Sequence, residues 1–187
     1  ILLLIVGADL LTVNNFFLCS ASFAKKMKWG DVVKILVVCY IGNRVGSLVA
    51  AFIFQASGAA SGTVGQLFAA AAEKKMTAPA INLVLKGLLC NTLVCIAVWC
   101  SIKLKSEAGK LIMIMWCILT FMLCGFEHSI ANMFYLPAGL FLGANVGWGG
   151  FLLSNLLPVT LGHIVGGWLV GIASRADSPT DKGRDPC

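Results

Sequence analysis

Gly125-Phe126-Glu127-His128-Ser129-Ile130-Ala131-Asn132-Met133 places an acid and an imidazole side by side, with an amide one turn on, in the middle of an apolar run from Leu111 to Leu142. Ionisable groups at the centre of such a run are costly to bury, so in a membrane they face a cavity, a partner or a pathway. A histidine held in a packed core by a neighbouring helix is the plainer alternative, and this stretch alone leaves the two level.

The surrounding composition decides the solvent. At 59% hydrophobic and 12% charged residues, with a mean hydropathy of +0.91, the chain cannot cover a soluble domain with polar surface. It reads as a polytopic protein of the lipid bilayer. The net charge of +6 sits in short connecting segments, Lys25, Lys26 and Lys28 or Lys103, Lys105 and Lys110. That is topology information and not a nucleic-acid surface. Seven of the eight cysteines lie inside apolar segments, where they pack as small residues. There is no CxxC pair and the two histidines lack HxxxH spacing, so no metal site, redox motif or cofactor is expected. Glu127 and His128 make an acid–base pair, yet no nucleophile with a partner accompanies them, which disfavours an enzyme. The chain opens on ILLLIVG without an initiator Met, which suggests a truncated start.

About 20 apolar residues are needed to span a bilayer. Val32 to Phe54, Ala80 to Ile102, Leu111 to Leu142 and Trp148 to Ala173 satisfy this, and Ile1 to Ala24 does so with interruptions at Asp9, Thr12, Asn14 and Asn15. The run from Leu111 is too long for one straight span, and its polar centre supplies a break. The Lys-rich loops at 24–31 and 103–110 are expected on the cytoplasmic side. The loop from Gln55 to Pro79, with a short interfacial helix over QLFAAAAEKKM, then lies outside, and the polar tail 174–187 lies in the cytoplasm.

An internal repeat organises these spans. Gly7, Asp9 and Asn14 recur as Gly125, Glu127 and Asn132, and Gly42-Asn43-Arg44-Val45-Gly46 recurs as Gly162-His163-Ile164-Val165-Gly166 at nearly the same offset. The second half holds three spans, and the counterpart of Ala80 to Ile102 is expected before Ile1. Three spans per half invert the second half, so that two broken helices meet near the midplane and line a pathway. The reading divides residues 1–173, a single pore unit, into a first half (1–57), an outer loop (58–79) and a second half (80–173). The GxxxG pairs at Gly42/Gly46, Gly162/Gly166 and Gly167/Gly171 are expected to let helix backbones approach.

GFEHSIANM, KGLLCNTLVCIAVW (86–99) and NLLPVTLGHIVGG (155–167) resemble the formate/nitrite transporter family, in the family's order. The resemblance covers Gly7 to Ile172. It implies an all-α, aquaporin-like inverted repeat and a homopentamer whose protomers each carry a pore for small monovalent anions or their acids: formate, nitrite, hydrosulfide or lactate. On these positions His128 matches the central pore histidine, Glu127 the acid beside it, and Thr12 the loop threonine that faces it. Lys75 and Asn91 match an outer lysine and a pore asparagine. Leu10 and Val94 match one constriction, Leu11 and Phe121 the other. Asn132 and His163 join the pore set.

Three departures stand out. Val13 replaces a small residue, His163 stands where the family has Asn, and Arg44 occupies a normally apolar place in mid-span. A lone charge there costs about 2.5–3.5 kcal/mol on insertion scales, so Asp9, Glu127 or a water-filled cleft is expected beside it. The mechanism implied is collection of the anion by Lys75, support from Asn91, and a hydrogen bond or proton from His128 with Thr12. Asn91 is alternatively bonded across helices, and Lys75 an interfacial lysine. A proton-coupled symporter uses the same residues, and a structural or sensory subunit is the remaining alternative.

Overall fold

The computed structural model describes residues 11–23, 25 and 27–176. Among these the protein is all-helical. Helix α1 is Leu11–Phe23, α2 Trp29–Ala56, α3 Thr63–Met76, α4 Ala80–Lys103, α5 Glu107–Leu123 and α6 Ser129–Phe141; α7 (Trp148–Gly150) runs through a π-helical stretch, Phe151–Leu156, into α8 (Leu157–Ala176).

The break inside the long apolar run is encoded locally. Gly125 has φ +65°, a conformation glycine adopts without the steric cost of a Cβ. Its N–H donates to Met122 O at 3.1 Å, and the Phe126 N–H donates to Phe121 O at 3.0 Å. This pair of reversed bonds satisfies the last carbonyls of α5 and ends the helix. The chain then runs extended to His128, which caps α6.

The expected continuous helix from Trp148 to Ala173 contains an irregularity instead. Pro158 has no N–H to offer Ser154 and its ring crowds that carbonyl. The turn before it widens, with Leu157 N–H donating to Leu152 O, five residues back. This turn brings Phe151 and Asn155 to the interior.

Among the described residues, three stretches are long and apolar enough to cross a membrane: Trp29–Ala56, Ala80–Lys103 and Trp148–Arg175. The first lies on the perimeter, with Val33, Val37, Ile41, Val45 and Phe52 exposed. The other two form the centre and press backbone to backbone. A Cβ on Gly162 would lie 2.8 Å from Leu88 N, and one on Gly166 3.2 Å from Thr92 N. Here GxxxG works as expected. Gly42 and Gly46 do not, since a Cβ on either meets nothing within 4 Å. Among the described residues the first GxxxG pair is not pressed against a neighbouring helix.

Candidate functional site

The α5–α6 break opens onto a cavity of about 580 Å³. Its wall includes Thr12 from α1, Ser47 from α2, Lys75 from α3, Val94 from α4, Phe121 from α5, and His128 at the start of α6. Every described helix before the loop at 142–147 therefore contributes to it.

His128 is extended (φ −108°, ψ 116°), and its Nδ1 accepts the Ala131 N–H at 3.3 Å. A ring nitrogen that accepts carries no hydrogen, so in the neutral ring the hydrogen sits on Nε2. The ring stacks on Phe121, with centroids 5.8 Å apart and planes 28° from parallel. Thr12 is fully buried, and its hydroxyl has no protein partner among the described residues. A buried hydroxyl without a partner costs about 1–3 kcal/mol, and this one belongs to a residue on the cavity wall.

Lys75 and Glu127 belong to a closed polar ring. Lys75 Nζ meets Glu127 Oε2 at 2.7 Å. The same oxygen accepts Asn132 Nδ2 at 2.7 Å. Asn132 Nδ2 also donates to Asn155 Oδ1 at 2.8 Å, and Asn155 Nδ2 returns to the Lys75 carbonyl at 2.9 Å. The ring ties α3 to the break, α6 and the π-helical turn. The carboxylate is 5% exposed, yet its charge has a cation and an amide donor, as burial requires.

Other predicted residues fall elsewhere. Asn91 is fully buried, does not line the cavity, and donates to the His163 carbonyl at 2.6 Å. Asn15 donates to the same carbonyl at 3.0 Å. Asn91 is thus bonded across helices, and it and Lys75 are not brought together. Leu11 and His163 line a second cavity of about 280 Å³, almost wholly apolar, with Trp29, Tyr40 and Trp168. Val94 and Phe121 are on the first cavity; Leu10 lies outside the described residues. Glu127 is not the partner expected for Arg44, because Lys75 occupies it, and Asp9 lies outside the described residues. Arg44 instead places its guanidinium over the Phe151 ring, 5.2 Å from the centroid. Asn155 was missed, although an amide in the apolar run LLSNLLP is a readable signal.

Apolar helices of membrane-crossing length, with a helix break that brings polar groups onto a cavity between them, define an integral membrane protein. The pattern of the formate/nitrite transporter family matches residues 1–175. The chain belongs to that family, and with it has the all-helical inverted-repeat architecture. It is 36% identical over 174 residues to the nitrite transporter NirC of Escherichia coli strain K12, covering 89% of this chain and 62% of NirC. The chain thus spans less than two thirds of that relative. Among solved structures, an ion channel of the same family matches with TM-score 0.85 and 34% identity, covering 94% of this chain and 71% of the other. A pentameric formate channel with formate bound matches with TM-score 0.78 and 30% identity, covering 92% and 76%.

Proposed function

We propose that this protein passes small monovalent anions or their conjugate acids across the bilayer, with formate and nitrite as first candidates and hydrosulfide or lactate as further ones. The observation that carries the reading is the shared cavity: an ammonium (Lys75), an imidazole with a free donor (His128) and a hydroxyl without a partner among the described residues (Thr12) on one largely apolar wall.

Desolvating a carboxylate in a narrow apolar ring costs several kcal/mol, and the neutral acid crosses far more cheaply. Lys75 draws the anion in, the apolar Val94 and Phe121 strip its water, and His128 with Thr12 offers hydrogen bonds or a proton. The central role of His128 is supported by its position at the break and by the tautomer its cap imposes. Histidine suits the task because its charge changes near physiological pH.

The Lys-rich loops support an orientation with the tail 174–187 in the cytoplasm, in a cell membrane, and the pentameric relative supports assembly as a homopentamer. Residues 1–173 then act as one pore unit. The test is formate uptake into liposomes carrying purified protein, with wild type and His128→Phe compared against pH. Transport by wild type and a changed rate and pH profile in the variant are expected; an unchanged profile sinks the proton relay, and no formate flux at all sinks the transport reading. Electrical current without proton flux separates a channel from a proton-coupled symporter.

A further inference from the structure

Two imidazoles, and not one, hold the first turn of α6. His128 Nδ1 accepts the Ala131 N–H at 3.3 Å. His163, reaching across from α8, accepts the Ser129 N–H on Nε2 at 3.2 Å. The two rings meet edge to face with centroids 5.4 Å apart. The first N–H groups of a helix have no partner inside the helix, and at this helix two of them end on ring nitrogens. Both acceptors must be unprotonated. His128 therefore carries its hydrogen on Nε2 and His163 carries its own on Nδ1, so the two rings are opposite tautomers.

His163 does not line the first cavity; it lines the second. Its effect on a solute in the first cavity must pass through Ser129, the residue next to His128. We infer that His163 is a positioning residue: it latches the first turn of α6 so that the His128 Nε2–H stays available to the cavity, and a proton on His163 releases the latch. This rests on the pore reading of His128 given above.

The release follows from geometry. A proton on His163 Nε2 turns an acceptor into a donor aimed at the Ser129 N–H, and two donors at 3.2 Å repel. The added positive charge also opposes the positive end of the α6 dipole. The first turn then moves, and His128, cap of that turn, moves with it. Groups from four helices surround His163. His128 faces it from α6, and Tyr40 from α2 lines the same second cavity. From α4 and α1 come the neutral amides of Asn91 and Asn15, both bonded to the His163 carbonyl. Lys75, the charged group that lines the cavity with His128, is paired with Glu127.

Three measurements on the full chain in lipid nanodiscs and liposomes decide it. In ¹⁵N-histidine spectra at neutral pH, assigned with His163→Asn and His128→Phe, His163 should be protonated on Nδ1 and His128 on Nε2. Wild-type formate flux should fall on the acid side, whereas His163→Asn, which retains an oxygen acceptor that does not titrate, should keep neutral-pH flux within about threefold and lose the acid-side fall. His163→Leu, which leaves the Ser129 N–H facing a methyl group, should cut flux tenfold or more at every pH, the fold-change of losing about 1.4 kcal/mol. A hydrogen on His163 Nε2, or the same pH profile in wild type and His163→Asn, overturns the latch. Flux through His128→Phe that matches wild type overturns the pore reading instead, and the tautomer spectra still decide the latch.

Discussion

Replacing Glu127 by Gln should weaken the fold and strengthen anion capture at the same time. One carboxylate oxygen takes both the Lys75 ammonium and the Asn132 amide, each at 2.7 Å. Gln keeps the shape and an acceptor oxygen but removes the charge. Charge-assisted bonds contribute about 1.5–3 kcal/mol against about 0.5–1.5 for neutral ones, so two such bonds lose about 2–3 kcal/mol together. The cost stays below the about 3–5 kcal/mol of a fully stranded buried charge, because the Lys75 side chain is 24% exposed and rehydrates at the cavity. For a chain of this size that loss is a fall of about 5–10 °C in Tm. Meanwhile the ammonium is no longer neutralised. An anion about 6 Å away at an effective dielectric of about 40 gains about 1.4 kcal/mol, a tenfold lower apparent KM. Thermal melts in detergent and concentration-dependent formate uptake at two ionic strengths measure the two effects, and added salt should erode the second. A melt within about 0.5 kcal/mol of wild type, or a raised KM, refutes the reasoning.

Asn155→Leu should cost about 2–4 kcal/mol, because it strands the Lys75 carbonyl and one Asn132 N–H in the interior; the same melts detect it, and a neutral result removes the polar ring as a structural element. Gly162→Ala should cost about 1–3 kcal/mol, since its Cβ meets the Leu88 and Val84 backbone, which no rotamer change relieves. Gly46→Ala, with open space around it, should be neutral within about 0.5 kcal/mol, and equal effects at the two sites refute the packing assignment. Arg44→Leu should stabilise by about 0.5–1.5 kcal/mol, because a cation–π contact of about 2 kcal/mol does not offset the insertion cost of the charge. Destabilisation beyond about 1 kcal/mol shows instead that Arg44 has a stronger partner in the assembled membrane protein.

The spans and the helix break were legible because their causes are short-range. Hydropathy over some 20 residues gives α2 and α4, and one glycine with positive φ ends α5 just before the polar pair. The pairings were not, because they join residues far apart in sequence. Lys75 finds Glu127 across 52 positions, and Asn91 finds the His163 carbonyl across 72. The family resemblance linked Lys75 to Asn91, but a sequence match carries no information on which side of α4 the amide faces. The π-helical turn had a local signal in Pro158, which turns Asn155 toward the polar ring.

The repeat shows how far symmetry of sequence reaches. Asn14 and Asn132 correspond, yet Asn132 serves the carboxylate while Asn14 donates to the Cys39 sulfur at 3.2 Å. Gly42/Gly46 and Gly162/Gly166 correspond, yet only the second pair is pressed against another helix. The correspondence thus holds in the sequence and not in the contacts, and each half has its own chemistry. The second half brings an acid that is already satisfied by Lys75 and Asn132. The first half brings Thr12, a buried hydroxyl with no partner among the described residues. Donors remain on this wall among the described residues: the Thr12 hydroxyl, the His128 Nε2–H and the two further hydrogens of the Lys75 ammonium. Three such donors beside apolar side chains suit the reading proposed above, since a solute that accepts hydrogen bonds recovers there part of the cost of leaving water.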